Sequence, residues 1–278
     1  IRMQAFAAWF RQNPLTGILL IGLIFRVAAA LNAPGYLMHD DHFLVIETAA
    51  SWAEGEDYNA WMPWTQLTNG IENPIPHQAN LAYPGMVSGL FRLMIALGIV
   101  APTSQMFIVR LIHGLFSLLM VALGYKLAEK LGGRRSGIWA GLALAGFAWF
   151  PHLGVRQLVE VVCIPPLMWS SWVVLKRPEN HRNLRTWFIA GIGLGLATTL
   201  RYQAGVFGVG WAIAIAWANY QSGQKPSKSA KEICVLGGSS LLFFSLGQIQ
   251  DVLIWGEPFA QLRAYIEYNN THSSGYPQ

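Results

Sequence analysis

His39, Asp40, Asp41 and His42 crowd together just beyond the first apolar stretch of the chain, and Glu47 follows a little further on. Nitrogen and oxygen ligands side by side invite a metal reading. Four consecutive side chains cannot all converge on one ion, and no HxxxH or HExxH spacing occurs, so no metal centre is expected. Divalent-ion binding by Asp40 together with Glu160 or a substrate phosphate is the weaker alternative. Taken alone, acids ahead of a helix are commonly N-caps worth about 1 kcal/mol, and Asp41 suits that role. Two further residues have the chemistry to hold a phosphate: the planar guanidinium forks of Arg156 and Arg201 match its oxygens with paired hydrogen bonds. Snorkelling of these arginines toward lipid headgroups is the plain alternative.

The elements that must position these groups are unlike those of a soluble enzyme. Of the 278 residues, 53% are hydrophobic and only 12% charged, where a soluble domain carries about 25% charged residues. The apolar residues come in long blocks, and the mean hydropathy is +0.35. A bilayer core requires roughly 20 apolar residues per helix, because only a helix pairs every backbone group internally. Seven windows qualify, at about 14–33, 106–125, 136–154, 158–175, 186–200, 203–219 and 233–255. Pro165-Pro166 should break or kink the fourth, and Gly191, Gly193 and Gly195 in the fifth suit close helix contact. The GLGLA run there reads as packing surface, since no strand precedes it and no Lys-Ser/Thr follows. The expected fold is therefore an all-α polytopic membrane bundle of about seven transmembrane helices, a single membrane domain over 1–278.

Lysine and arginine resist transfer across the membrane and set its orientation. With the N-terminus inside, four clusters fall on the inner side: Arg2 and Arg11; Lys126, Lys130, Arg134 and Arg135; Lys176, Arg177, Arg182 and Arg185; Lys225, Lys228 and Lys231. These are 13 of the 19 basic residues, whereas only Glu129, Glu179 and Glu232 of the 14 acids share that side. The net charge of +5 is thus a topology signal, and no nucleic-acid partner is expected. AAALNA before Pro34 imitates a signal-peptide cleavage site, but Arg26 interrupts the apolar core and favours a retained span. Arg26 and Arg110 lie inside spans, where an unpaired charge costs at least about 2.5 kcal/mol; Asp251 or Glu160 is the expected partner. Cys163 and Cys234 both lie in apolar blocks and make neither a disulfide framework nor a CxxC site.

Residues 34–105 form a connection far too long for a mere linker, and the chemistry is expected there. FLVIETAASWAEG sets Leu44, Ile46, Ala49 and Trp52 against Glu47, Ser51 and Glu54, the pattern of an interfacial amphipathic helix. The section with Trp61, Pro63, Trp64, Pro74 and Pro76 reads as loop at headgroup depth. Residues 83–100 could form an eighth span; Arg92 and the charge bias favour a helix lying in the outer interface. Tyr36, Trp52, Trp61, Trp64 and Tyr83 could stack on a sugar or serve an interfacial belt. His77 reads as a loop residue.

In their order these motifs resemble those of the GT-C integral-membrane glycosyltransferases, most closely the branch that takes mannose from a polyprenyl or dolichyl phosphate. That family carries a His-Pro-Asp-Glu-x-Phe acid motif after its first helix, with a glutamate four residues beyond the Phe. Asp40, Asp41, Phe43 and Glu47 match it, while Met38 and His39 replace the His-Pro pair. Arg156, Leu158 and Glu160 resemble a family Arg-x-Leu-x-Glu, Arg201 in TTLRYQAG an arginine at an outer helix end, and IWGEPFAQLRAYIEYNNTHSSGYP an outer segment. The resemblance implies an inverting sugar transfer from a polyprenyl-phosphate donor to a lipid- or glycan-linked acceptor. Such a reaction needs a base for the acceptor hydroxyl and a cationic site for the departing phosphate. Asp40 and Asp41 are the catalytic candidates, with Asp40 the base; His39, Glu47, Arg156, Glu160 and Arg201 are the substrate-binding candidates. It further implies no cofactor beyond the donor as co-substrate, membrane lipid, donor and acceptor as partners, and, with the N-terminus cytoplasmic by the charge bias, a site on the outer face of a bacterial plasma membrane. The family usually continues with further helices where this chain stops, so the chain is read as lacking the family's C-terminal helices, either as a fragment or as a natural short form. A non-catalytic scaffold subunit or a transporter is the rival reading; no internal repeat supports the transporter.

Overall fold

The computed structural model describes residues 8–39, 42–178 and 183–272. Asp40 and Asp41 lie outside the described residues, as do Arg2, Glu179 and Arg182. Every regular element among the described residues is helical. The first helix, α1 (Pro14–Leu31), starts with proline at N1, where a missing N–H costs nothing, and runs through apolar sequence to Asn32, whose side chain donates back to Ala28 O at 2.8 Å. A π-helical turn (His42–Glu47) leads into α2 (Thr48–Glu54), followed by α3 (Pro63–Thr68) and α4 (Ala82–Ala96).

The element α5 (Pro102–Gly146) has 45 residues but is two antiparallel arms. Gly133 sits at φ 80°, ψ 177°, a conformation a Cβ would strain, and the chain folds back there. A Cβ on Gly137 would meet Glu129 Cβ at 2.8 Å, and one on Gly141 would meet Tyr125 Cδ2 at 3.3 Å. Residues equally far from Gly133 on either side therefore face each other. The expected window at 106–125 and the first part of that at 136–154, which breaks after Gly146, thereby form a helical hairpin against α1, with Ile18, Val121, Tyr125 and Ala145 as its buried seam.

Beyond the hairpin come α6 (Trp149–Gly154), α7 (Val159–Val162), α8 (Ile164–Leu175), α9 (Leu184–Leu200), a 3₁₀ turn (Tyr202–Gly205), α10 (Val206–Gln221), α11 (Pro226–Gly247), α12 (Ile249–Trp255) and α13 (Ala260–His272). The expected break at Pro165-Pro166 is present: α7 stops at Val162 and the prolines occupy the first turn of α8. The glycines of α9 pack as their spacing implied. Gly191 and Gly195 face α11, where added Cβ atoms would come 2.5 Å from Leu236 O and Ser240 O, and Gly193 faces Pro166 O of α8 at 2.6 Å. Such four-residue spacing of small residues lets helix backbones approach closely without water.

Among the described residues, three helical stretches are long and apolar enough to cross a membrane, Pro14–Leu31, Pro102–Gly146 and, with α11 and α12 taken together, Pro226–Trp255; Val159–Leu175 and Leu184–Leu200 are shorter and apolar. The basic clusters gather at one end of the bundle. There Arg134 donates to Arg11 O, Lys126 Nζ lies 5.8 Å from the Trp172 ring, and Leu175, Gln224 and Lys228 share a cavity. At the other end Gly35, Arg110 and Arg156 meet.

The 34–105 segment differs from expectation in two respects. Trp61 is buried, stacked on His77 with centroids 3.8 Å apart, and α3 interrupts what was read as loop; only Trp64 of the pair is exposed. The amphipathic stretch is not one regular helix either. Its π-helical start shifts the register, so Val45 joins Ile46, Ala49 and Trp52 in burial while Leu44 is half-exposed. Helix α4 packs Tyr83, Val87, Phe91 and Met94 against α2 and Val109.

Candidate functional site

The chain on both sides of the acid pair is held by specific contacts. Upstream, the Gly35 carbonyl accepts from Arg156 Nη1 at 2.6 Å and from Arg110 Nη2 at 3.5 Å. Downstream, the π-helical turn is tied by its Phe43 carbonyl, which accepts from Thr48 Oγ1 at 3.2 Å and Asn59 Nδ2 at 3.4 Å. Aromatic rings bridge the two sides: Tyr36 stacks on His42 at 5.6 Å, and His39 lies against Phe43 at 4.6 Å. Glu47 pairs with His42 Nε2 at 3.1 Å. A π turn beside the matched acid motif fits the tendency of such turns to occur at functional sites.

Leu44 and Val45 of that turn line a polar cavity of about 330 Å³. Across it stand Glu160 and Arg201, which form an ion pair. Glu160 comes from the one-turn helix α7, and Arg201 is the residue at which α9 ends. The sequence placed both correctly at helix boundaries, and the fold brings them together. His39, Glu47 and Arg156 are not part of this wall. Arg156 is 5% exposed and is directed at Gly35 instead.

The expected carboxylate partners of the intramembrane arginines are engaged elsewhere. Glu160 binds Arg201, and Asp251 Oδ2 accepts from the Gln261 amide at 3.1 Å, capping α13. Arg26, 1% exposed, instead donates to Ser117 Oγ at 2.6 Å and to the carbonyls of Gly22 and Leu144, both at 3.3 Å. Neutral acceptors thus satisfy it where a carboxylate was expected. The carbonyls come from α1 itself and from the second hairpin arm, so the charge ties α1 to α5.

Three cavity residues, Asn80, Tyr202 and Tyr265, were not singled out from the sequence, and a fourth, His77, was read only as the loop residue that it is. Burial lowers the His77 pKa to about 4, and its Nδ1 accepts from the Ala79 amide at 3.1 Å, so the neutral ring carries its hydrogen on Nε2. Burial raises the Tyr202 phenol, which stays protonated. Asn80 Nδ2 approaches Tyr202 Oη at 3.5 Å, and Tyr265 accepts from Gln203 at 2.6 Å. The cavity therefore offers one paired cation and several neutral polar groups, a combination suited to a phosphate and hydroxyl-rich ligand. Tyr202 also lines a second, apolar hollow of about 490 Å³ between α10 and α11. A third, open cleft of about 790 Å³ is lined by Trp52, Trp64, Asp57, Arg92 and Gln250. There Asp57 accepts from Trp52 Nε1 at 2.9 Å and Met62 N at 2.8 Å. No cluster of three metal-ligating side chains occurs among the described residues.

A helical bundle with apolar helices long enough to cross a membrane defines the class of an integral membrane protein. The model of the dolichyl-phosphate-mannose-protein mannosyltransferase family matches residues 86–246, more than half of the chain, and the chain belongs to that family of membrane glycosyltransferases. The match covers Arg156, Glu160 and Arg201 but begins after the acid motif. No curated protein matches the chain. Membership implies a lipid-linked sugar donor and an acceptor as substrates in general.

Proposed function

We propose that the protein is an inverting glycosyltransferase that moves a sugar, mannose by its family resemblance, from a polyprenyl-phosphate donor to a lipid- or glycan-linked acceptor. The observation that carries this reading is the junction at Tyr202, where the polar cavity holding Arg201 adjoins the apolar hollow between α10 and α11. A polyprenyl-phosphate sugar has that same division into a charged head and a hydrocarbon tail. In this arrangement Arg201 binds the donor phosphate with Glu160 holding its guanidinium in place, and Tyr202 and Tyr265 donate to phosphate or sugar oxygens. Asp40, three residues before Phe43, takes the proton from the acceptor hydroxyl. The acceptor oxygen bonds to the anomeric carbon from the side opposite the phosphate as the carbon–oxygen bond to phosphate breaks, releasing polyprenyl phosphate. Arg156 and Arg110 act on the segment leading into the acid pair through Gly35. The open cleft with Trp64, Asp57 and Arg92 is the acceptor's approach, since an exposed aromatic face and flanking polar groups suit a sugar ring. The N-terminus and basic loops lie in the cytoplasm and the cavities face the outside of a bacterial plasma membrane, by the charge bias. The reaction needs no metal in this reading.

The test is transfer of labelled sugar from a panel of polyprenyl-phosphate sugars to membrane lipid and glycan extracts, by purified protein in nanodiscs. Wild type is compared with Asp40→Asn and Arg201→Ala, each checked for unchanged elution and melting. Transfer abolished by Asp40→Asn in a folded protein supports the enzyme; undiminished transfer removes Asp40 as base.

A further inference from the structure

The basic end of the bundle holds a cavity of about 430 Å³ between α8, α9, α10 and α11, remote from the groups assigned to the transfer reaction. On its wall is Glu232, a carboxylate in a residue only 5% exposed. Burying a charge is costly unless it is paired, and a carboxylate has about four lone-pair sites to fill. Glu232 has one hydrogen bond, from Asn219 Nδ2 to Oε2 at 2.7 Å. Lys228 lines the same cavity one helical turn away, at the spacing where opposite charges ordinarily meet. No ion pair joins these two among the described residues. Trp187, 4% exposed, also lines the cavity, and its indole N–H is buried without a hydrogen-bond partner. Trp211 stands edge-to-face to it with centroids 6.1 Å apart, and Leu175 and Ile215 supply an apolar floor.

A ligand that completes this site must bring an ammonium to Glu232, an anion to Lys228 and the Trp187 N–H, and a hydrocarbon portion to the floor. An anionic lipid lacks the first, a simple cation the second, and a soluble zwitterion the third. We propose that the cavity binds the headgroup of a zwitterionic aminophospholipid of the phosphatidylethanolamine class. The ammonium is hydrogen-bonded to Glu232 and the phosphate is held by Lys228 and Trp187. The site lies at the end of the bundle that the lysine clusters place among lipid headgroups, so the ligand is supplied by the membrane itself. It does not depend on the transferase reading.

The experiment uses the full chain, delipidated in detergent and titrated with phosphatidylethanolamine, phosphatidylglycerol or phosphatidylcholine. Bound lipid is counted by native mass spectrometry and melting temperature is followed in parallel. Wild type should bind phosphatidylethanolamine about tenfold more tightly than phosphatidylglycerol, the value of one charge-assisted hydrogen bond. Phosphatidylcholine, whose quaternary nitrogen has no N–H to donate, should also bind more weakly. Glu232→Gln should abolish the preference, and Lys228→Gln, at an exposed position that leaves folding intact, should weaken phosphatidylethanolamine binding several-fold. Equal binding of the three lipids by wild type overturns the proposal. So does a preference that survives Glu232→Gln, or phosphatidylethanolamine binding untouched by Lys228→Gln.

Discussion

The two ends of the bundle hold cavities of similar size built by different means. At the basic end most of the wall is helix flank, Trp187 on α9, Asn219 on α10, Lys228 and Glu232 on α11, with Ser222 and Gln224 of the turn between α10 and α11 at its edge. At the opposite end it is made where helices stop: a π turn at Leu44, a one-turn helix at Glu160, the last residue of α9 and the 3₁₀ turn at Tyr202. Flanks fix side-chain spacing by helical periodicity and suit the recognition of a preformed ligand. Interrupted helices free backbone groups and let residues distant in sequence converge, which is how catalytic constellations are commonly assembled on a rigid scaffold.

The contrast can be broken most forcefully at the acid pair. Asp40→Asn should lower transfer by about 10²- to 10⁴-fold, the range for a lost general base, in single-turnover assays, with melting unchanged. Next in size, Arg201→Ala should reduce kcat/KM for the donor by about 10- to 100-fold, corresponding to one or two charge-assisted hydrogen bonds. Arg201→Lys should recover part of that loss, because it restores charge without the fork. If both variants match wild type, the cavity at the interrupted end does not hold the phosphate. A third variant acts on the frame shared by both ends. Gly195→Val drives a side chain into Ser240 O and Phe243 Cβ of α11 and should cost about 1–3 kcal/mol, read as a lower unfolding midpoint.

The last test uses pH. His77 is neutral in the fold, with its pKa lowered from 6.5 to about 4. As pH falls below 6.5 the unfolded chain binds the proton first, so stability declines between pH 6.5 and 4 and levels off below. This one group contributes a slope of at most about 1.4 kcal/mol per pH unit. Melting of wild type and His77→Gln across pH 4–7 checks it: the variant should have the shallower curve, and parallel curves would acquit His77.

What the sequence disclosed follows the same division. Helices are written in local signals, so α1, the hairpin arms, the break before α8 and the glycine face of α9 were legible from hydropathy, proline placement and glycine spacing. Arg201 and Glu160 were legible as helix-end charges, through the family motifs, but nothing local said that they pair. His77 was legible as a loop residue but not as a cavity residue, because that place depends on Trp61, sixteen residues away in a stretch without periodicity, stacking on its ring. Tyr202 and Tyr265 lay inside motifs that were noticed for their arginine and their overall pattern, and their approach across the 3₁₀ turn is a tertiary fact. The partner of Arg26 was misjudged because a carboxylate is the obvious mate for a buried guanidinium, whereas Ser117 and two carbonyls satisfy it.

The single glycine at the hairpin tip has a mechanical consequence. Arg110 precedes Gly133 by 23 residues and Arg156 follows it by 23, and both guanidiniums end on the carbonyl of Gly35. The first of these arginines rides on the first arm, whereas the second stands ten residues past the end of the second arm, beyond α6. One residue inserted within the second arm would turn everything after it on that arm by about 100° and slide it about 1.5 Å, a shift that the break at Phe147 and the short helix α6 would have to absorb before Arg156 could still reach Gly35.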